Sequence, residues 1–306
     1  MSSLAEKLAS ALTSREDRNI RRHLPSPDLS LSHPPPIGTT TINNSDAPSS
    51  IGGTIAIATT SASSSPPPAP ARPADFSSND YLSLATSPLL HARVLAALHA
   101  APMILGSGGS RLLVHSAAHT ALEARLAQTF RAPAALLFNS GFDANAGFFA
   151  CIPQAGDALL HDAAIHASVY DGARASRLAA GRRRSFAHND VRALRDALCA
   201  LREECMALRR GTASVFVAVE SVYSMDGSVA PLCAMLDTMH AVFPAGNAHM
   251  VVDEAHATGL YGHRGRGLVA LLGVEDRVLA RLHTFGKALA ASGGACVIFF
   301  QARNRG

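Results

Sequence analysis

A single lysine frames the chemistry open to this sequence. Of its 27 basic residues 25 are arginine, and the two lysines are Lys7 and Lys287. Arginine stays charged, so any reaction that needs a deprotonatable amine inside the folded body falls to Lys287. It follows the apolar run VLARLHTF (278–285), in the order Thr284-Phe285-Gly286-Lys287. Three other apolar runs also end in reactive or hydrogen-bonding residues. AALLF (134–138) leads into Asn139-Ser140-Gly141-Phe142; VFVAVE (215–220) leads into Ser221 to Gly227, with Tyr223, Ser224 and Asp226; HMVVDE (249–254) carries Asp253, with His256 three residues on. Small residues opening a helix leave backbone N–H groups to hold an anion. A carboxylate, an imidazole, hydroxyls and one amine gathered this way suit an aldehyde cofactor with a phosphate. Pyridoxal 5′-phosphate requires a lysine for its Schiff base, an acid at the pyridine nitrogen and donors for the phosphate. Each group alone has a plain structural use, as a surface lysine, a helix-capping aspartate or a satisfied core histidine. Their joint appearance on successive strand ends singles out a site.

The elements that must carry these residues read as an α/β fold. PLLHARVLAALHA (88–100) and SAAHTALEARLAQTF (116–130) predict helices, and the four apolar runs predict short buried strands. Apolar strands separated by helices imply a mostly parallel central sheet with helices on both faces, which binds ligands beyond the carboxyl ends of its strands. Ahead of this body the sequence changes character. Residues 1–24 predict an N-terminal helix (its body over 4–22), 25–74 a disordered linker, and 75–306 the folded domain. Eleven of seventeen prolines lie between Pro25 and Pro73, and a segment so composed buries too little apolar surface to order itself. IAIA (55–58) could add an edge strand.

At 306 residues and 48% hydrophobic the chain has material for a sizeable core, yet no apolar run approaches the roughly 18 residues of a membrane helix. Five cysteines without a CxxC pair fit a reducing, intracellular and most simply cytoplasmic setting. The formal charge of +4 does not indicate nucleic acid. Ten arginines between Arg174 and Arg210 flank a stripe of Val191, Leu194, Leu198, Leu201, Cys205 and Leu208 at helical spacing, so they fall on the solvated side. No aromatic residues interleave for base stacking. Asp253-Glu254-Ala255-His256 spells a helicase-type DEAH box, but no GxxxxGK[ST] loop precedes it. A GxSxG elbow is missing, and His161, Asp162 and His166 lack a metal-ligand spacing.

The chain resembles the α-oxoamine synthases, pyridoxal-phosphate enzymes of fold type I, from about Phe76 to Gly294. The resemblance rests on SSNDYLSL (77–84), GSGGSRLL (106–113), HxxLE at His119 to Glu123, FNSGFDAN (138–145), HDAAIHAS (161–168), ESVYSMDG (220–227), VDEAHATGLYG (252–262) and HTFGKAL (283–289). It implies condensation of an amino acid with an acyl-CoA and loss of carbon dioxide. GGSRL with TFGKAL is most similar to the biotin-pathway branch that uses L-alanine and pimeloyl-CoA, while ESVYSMDG is also similar to the 5-aminolevulinate synthases. Carried over by position, the resemblance implies Lys287 as the covalent cofactor anchor and proton carrier, Asp253 at the pyridine nitrogen and His256 at the phenolic oxygen. It further implies His166 stacked on the ring, Gly141, Phe142, Ser224 and Thr284 as cofactor contacts, Asn79 near the substrate, and a homodimer. No metal is implied.

Two departures accompany it. The family continues past the lysine into a smaller domain that supplies an arginine for the substrate carboxylate, whereas nineteen residues follow Lys287 here. The expectation is therefore a large domain without its small one. The Pro-rich segment before Phe76 stands where the family is ordered, and Ser83 replaces the glycine of the NDYLG motif. Another fold type I activity, such as an aminotransferase, and a non-catalytic dimer partner are the alternatives.

Overall fold

The computed structural model describes residues 76–299, apart from six positions between 103 and 115, together with 13, 14 and 16–18. Residues Met1–Ala71 and Arg72–Gly306 form separate units. In the first, Thr13, Ser14, Glu16 and Asp17 are helical; the rest of the expected N-terminal helix, the 25–74 linker and the IAIA strand lie outside the described residues.

In the second unit helices α1 (Pro88–Ala100) and α2 (Ala117–Thr129) precede strand β1 (Ala134–Phe138), α3 (Gly141–Cys151), β2 (Ala158–Asp162) and α4 (Ala167–Ala175). Then come β3 (Arg183–Phe186), α5 (Val191–Glu204), α6 (Met206–Arg209), β4 (Val215–Glu220) and α7 (Leu232–Val242). β5 (Ala248–Asp253), α8 (Leu268–Leu272), β6 (Ala280–Thr284) and β7 (Gly294–Ile298) complete the body. The seven strands form one sheet in the order β1-β7-β6-β5-β4-β2-β3. Only β7 runs antiparallel to its neighbours. The carboxyl ends of the other six therefore share one edge, and all four strand ends singled out by sequence lie on it.

Alternation along the strands distributes the core. Val215, Val217 and Val219 of β4 pack with Leu194, Leu198 and Leu201 of α5 and Met235 of α7. Phe216 and Ala218 face the opposite side, against Ala144 and Phe148 of α3 and Val169 of α4. Glu220 continues the second series, as does Asp253 after Val251 and Thr284 after Leu282. These three residues thus end their strands on the face that α3 and α4 cover.

One expectation needs correction. β1 is not a buried strand: it lies at the sheet edge, exposed at Ala134 and Leu136 and half-buried at Ala135, Leu137 and Phe138. Its outer side is closed by side chains instead. The Leu137 N–H donates to Glu123 Oε1 at 2.7 Å, and Arg111 donates to the Leu137 carbonyl at 3.0 Å and pairs with Glu123. Two sequence motifs, GSGGSRLL and HxxLE, meet there, and the captured edge offers no free ladder to another chain at that residue. The stripe expected in the basic stretch stands: Leu194, Leu198, Leu201, Cys205 and Leu208 are buried, while Arg192, Arg195, Arg202, Arg209 and Arg210 are exposed; ahead of it Arg183–Phe186 forms a strand. Among the described residues no helix is long and apolar enough to cross a membrane.

Candidate active site

The site grows from three strand ends and one helix start. Glu220 and Asp253 are register partners on adjacent parallel strands, so both carboxyl groups leave the same face about 4.8 Å apart at the backbone. Asp253 is fully held: Asn145 of α3 donates to Oδ2 at 2.6 Å, and the Ala255 N–H donates to Oδ1 at 2.9 Å. Glu220 is 2% exposed and its Oε1 has no hydrogen-bond partner. Burial, and next the charge of Asp253, push its carboxyl up to about 8, against the opposing pull of Lys287 and the backbone amides of Ser224 and His166.

Lys287 is half-buried where the chain leaves β6 and turns towards β7. Its amine lies 2.8 Å from His256 Nε2, and the other ring nitrogen of His256 lies 2.7 Å from the Tyr81 hydroxyl. Tyr81 donates to Asn79 Oδ1 at 3.0 Å. Its one proton is thereby committed, so Nδ1 of His256 carries the ring proton and Nε2 accepts from Lys287. The charges agree with that tautomer. Burial, then the neighbouring Lys287, hold His256 down to about 4, so it is neutral at physiological pH. Burial also lowers Lys287, while Asp253 and Glu220 act in the opposite sense.

The helix start forms a tight corner. Ser140 caps α3 by accepting the Asp143 N–H at 3.0 Å, and its own hydroxyl donates to Asp143 Oδ2 at 2.9 Å. Helix geometry leaves the amides of Gly141 and Phe142 without intrahelical partners. A Cβ at Gly141 would stand 2.9 Å from Cβ of Thr284, and one at Gly294 would stand 2.7 Å from the Gly141 nitrogen. The two glycines let α3, β6 and β7 close on one another, and the Thr284 side chain enters that corner.

The ring of His166 lies edge-on to Phe142, centroids 6.0 Å apart. His166 is the N-cap of α4, accepting the Ser168 N–H at 3.3 Å, with its Nδ1 2.7 Å from Ser168 Oγ. Ser224 is exposed in the turn after β4. The structure thus gathers Lys287, His256 and Asn79 into one hydrogen-bonded chain, sets Asp253 on its strand end, and forms a corner from Gly141, Phe142 and Thr284. Sequence reasoning missed Tyr81, Asn145 and Glu220. Asn145 lies one helical turn past Gly141, and Glu220 ends its strand as Asp253 does, so both had a positional signal.

The remaining DEAH residues are structural. Glu254, fully buried, accepts the N–H groups of Leu268 at 3.0 Å and Val269 at 2.8 Å and the Ser221 hydroxyl at 2.7 Å, so it anchors α8. Asp162 accepts the Ala164 and Asn189 amides at 2.8 Å each and lies 2.8 Å from His188 Nδ1.

The sequence model of one family, aminotransferase class I and II, matches residues 72–302. The chain belongs to the aminotransferase class I and II family. The match extends past Gly294, beyond the last of the family-like motifs, and includes β7. Within this family the chain is 50% identical over 227 residues to an 8-amino-7-oxononanoate synthase of Emericella nidulans, covering 73% of this chain and 55% of the relative. It is 44% identical over 221 residues to the aminoacyl transferase sphA of Aspergillus fumigatus, covering 72% and 47%. A serine palmitoyltransferase of S. paucimobilis, solved with a PLP–myriocin aldimine bound, superposes with a TM-score of 0.63 at 29% identity, over 73% of this chain and 52% of that one. The chain spans about half the length of the curated relatives it matches.

Proposed function

We propose that this chain carries the cofactor-binding part of a pyridoxal-phosphate-dependent α-oxoamine synthase, which joins an amino acid to an acyl-CoA with loss of carbon dioxide. The observation that carries the reading is the half-buried lysine amine, hydrogen-bonded to a neutral histidine and coupled to a carboxylate ending the neighbouring strand. The groups present fit the cofactor. The α3 corner offers two unpaired amides and the Thr284 hydroxyl to a phosphate, and Asp253 is fixed by two donors, ready to keep a pyridine nitrogen protonated. Phe142 and His166 supply ring faces beside the helix start, and Ser224 and His256 supply polar groups for the phenolic oxygen.

Pyridoxal phosphate, when bound, supplies the electron sink for negative charge at the amino acid α-carbon. The chain's own residues prepare and move the protons. Burial keeps Lys287 readier to lose its proton than a surface lysine, so it serves first as the covalent anchor and then as the base at the α-carbon. His256, fixed in one tautomer by Tyr81, accepts from Lys287 and holds the amine in place. Asn79, at the far end of that chain, is the residue this reading assigns to the substrate. A homodimer belongs to this reading.

For substrates, the Emericella relative supports L-alanine with pimeloyl-CoA, a biotin-type reaction. The serine palmitoyltransferase of S. paucimobilis favours a second reading, serine with a palmitoyl chain. Borohydride trapping of the chain with pyridoxal phosphate, followed by peptide mapping, tests the site: a reduced adduct on Lys287 is expected, and no adduct, or one confined to Lys7, refutes it. Release of CoA with alanine plus pimeloyl-CoA, compared with serine plus palmitoyl-CoA, then separates the two readings. Lys287→Ala should abolish adduct and turnover alike.

A further inference from the structure

We propose that Asp162, His188 and Ser228 form a second reactive site, an acyl-transfer triad that hydrolyses small esters and thioesters. The three residues come from neighbouring parallel strands. Asp162 ends β2, His188 lies two residues past β3, and Ser228 lies in the loop after β4. All three therefore stand at the carboxyl edge of the sheet, where such folds bind ligands. They share no residue with the set around Lys287.

Each contact has one direction. Both oxygens of Asp162 accept backbone amides, Oδ1 from Ala164 and Oδ2 from Asn189, at 2.8 Å each, and the side chain is fully buried. An ionised carboxylate only accepts. His188 Nδ1, 2.8 Å from Oδ1, thus carries the ring proton, and Nε2 is left to accept from the Ser228 hydroxyl at 2.8 Å. The Tyr223 ring meets the imidazole edge-on, centroids 4.4 Å apart. Asp226 Oδ2, 3.6 Å from Nε2, is beyond hydrogen-bond reach and does not displace the serine. Asn189 completes the group. Its backbone is left-handed at φ 53°, its N–H holds Asp162, and its side-chain amide lies 3.2 Å from Ser228 Oγ and 3.3 Å from His188 Nε2. That amide is a donor for negative charge forming on the atom beside Oγ. Asp162 is sealed from solvent, whereas His188 and Ser228 are partly exposed, so a substrate reaches the hydroxyl from outside.

The chemistry balances without a cofactor. Ser228 Oγ bonds to the acyl carbon as its proton passes to His188 Nε2; the bond to the leaving alcohol or thiol then breaks, and that group takes the proton from Nε2. Water, giving a proton to Nε2 in the same way, cleaves the acyl-serine, releases the acid and restores the hydroxyl. Lack of a GxSxG elbow does not bear on this, since triads are recognised by contacts and roles and occur in the chain order acid, base, nucleophile. The test uses the intact chain without pyridoxal phosphate and two probes. p-Nitrophenyl acetate reads turnover, and a fluorophosphonate, whose serine adduct resists hydrolysis, is mapped by peptide analysis. Release of p-nitrophenolate and an adduct on Ser228 are expected. His188→Gln should slow both by about hundredfold. Ser228→Ala, which removes only a hydroxyl, should lose both, and it decides the matter if His188→Gln fails to fold. An adduct found only at other residues, hydrolysis that survives in folded Ser228→Ala, or equal rates in folded His188→Gln overturns the proposal. Borohydride trapping on Lys287 is independent of all these outcomes.

Discussion

At the scale of single residues, the chain from Lys287 through His256 and Tyr81 to Asn79 makes a minor residue consequential. Tyr81 is linked to Lys287 through His256, and its hydroxyl fixes which nitrogen of His256 accepts from the lysine. Tyr81→Phe frees the ring to take the other tautomer. The adduct with pyridoxal phosphate should still form, while kcat falls by about fivefold, the equivalent of one lost hydrogen bond of about 1 kcal/mol; adduct yield and kcat are read separately. Ser83 shows the reverse relation between sequence and conformation. It adopts φ 52° and ψ 33°, the left-handed region, within a turn that Asp80 closes by accepting the Leu84 and Ala85 amides at 2.9 and 3.1 Å. A glycine at this position in the related motif is thus a backbone requirement. Ser83→Gly should stabilise the fold by about 0.5 to 1 kcal/mol in urea titration, since it removes the Cβ strain of that conformation.

Elements explain what could be read before the structure. Helices α1 and α2 fall within a residue of the spans predicted from helical periodicity, and β4 coincides with VFVAVE, because their patterns are local and strong. β2, β3 and β7 escaped the reading. β3 is RRSF, an edge strand with half-buried arginines and no apolar alternation. ALLHD is too short an apolar run to separate from the helix before it, and GACVI follows a loop that drew attention to chemistry instead. In the site, Lys287, Asp253 and His256 were legible as residue types at strand ends. The pairing of Glu220 with Asp253 required the register, and the bond from Asn145 to Asp253 spans 108 positions. No local pattern encodes such a distance. The α3 corner carries its own test: Gly141→Ala drives a Cβ against Thr284. It should destabilise by about 1 to 3 kcal/mol, as overpacking does, and weaken uptake of pyridoxal phosphate; denaturant midpoints and cofactor titration measure the two effects.

For the whole molecule the buried site groups set opposing pH slopes. Glu220 is raised from 4.5 to about 8 on folding, so the folded state binds more protons over that window and stability declines as pH rises through it. His256 is depressed from 6.5 to about 4, so its contribution is complete above 6.5 and is lost as pH falls towards 4. Urea midpoints should therefore pass through a maximum at mildly acidic pH. Glu220→Gln should flatten the alkaline limb and leave the acid limb in place. Superimposed alkaline limbs would show that Glu220 does not titrate in that window.

The antiparallel β7 also imposes a schedule on synthesis. β1 joins the sheet only through it, with Phe138 opposite Gly294. A nascent chain therefore completes α3 and the five parallel strands while β1 still waits for a neighbour more than 150 positions downstream. Because domains assemble as they emerge from the ribosome, the corner between α3, β6 and β7 is the last part of the site to close. A ribosome paused short of Gly294 displays an unpaired β1 to whatever chain comes near.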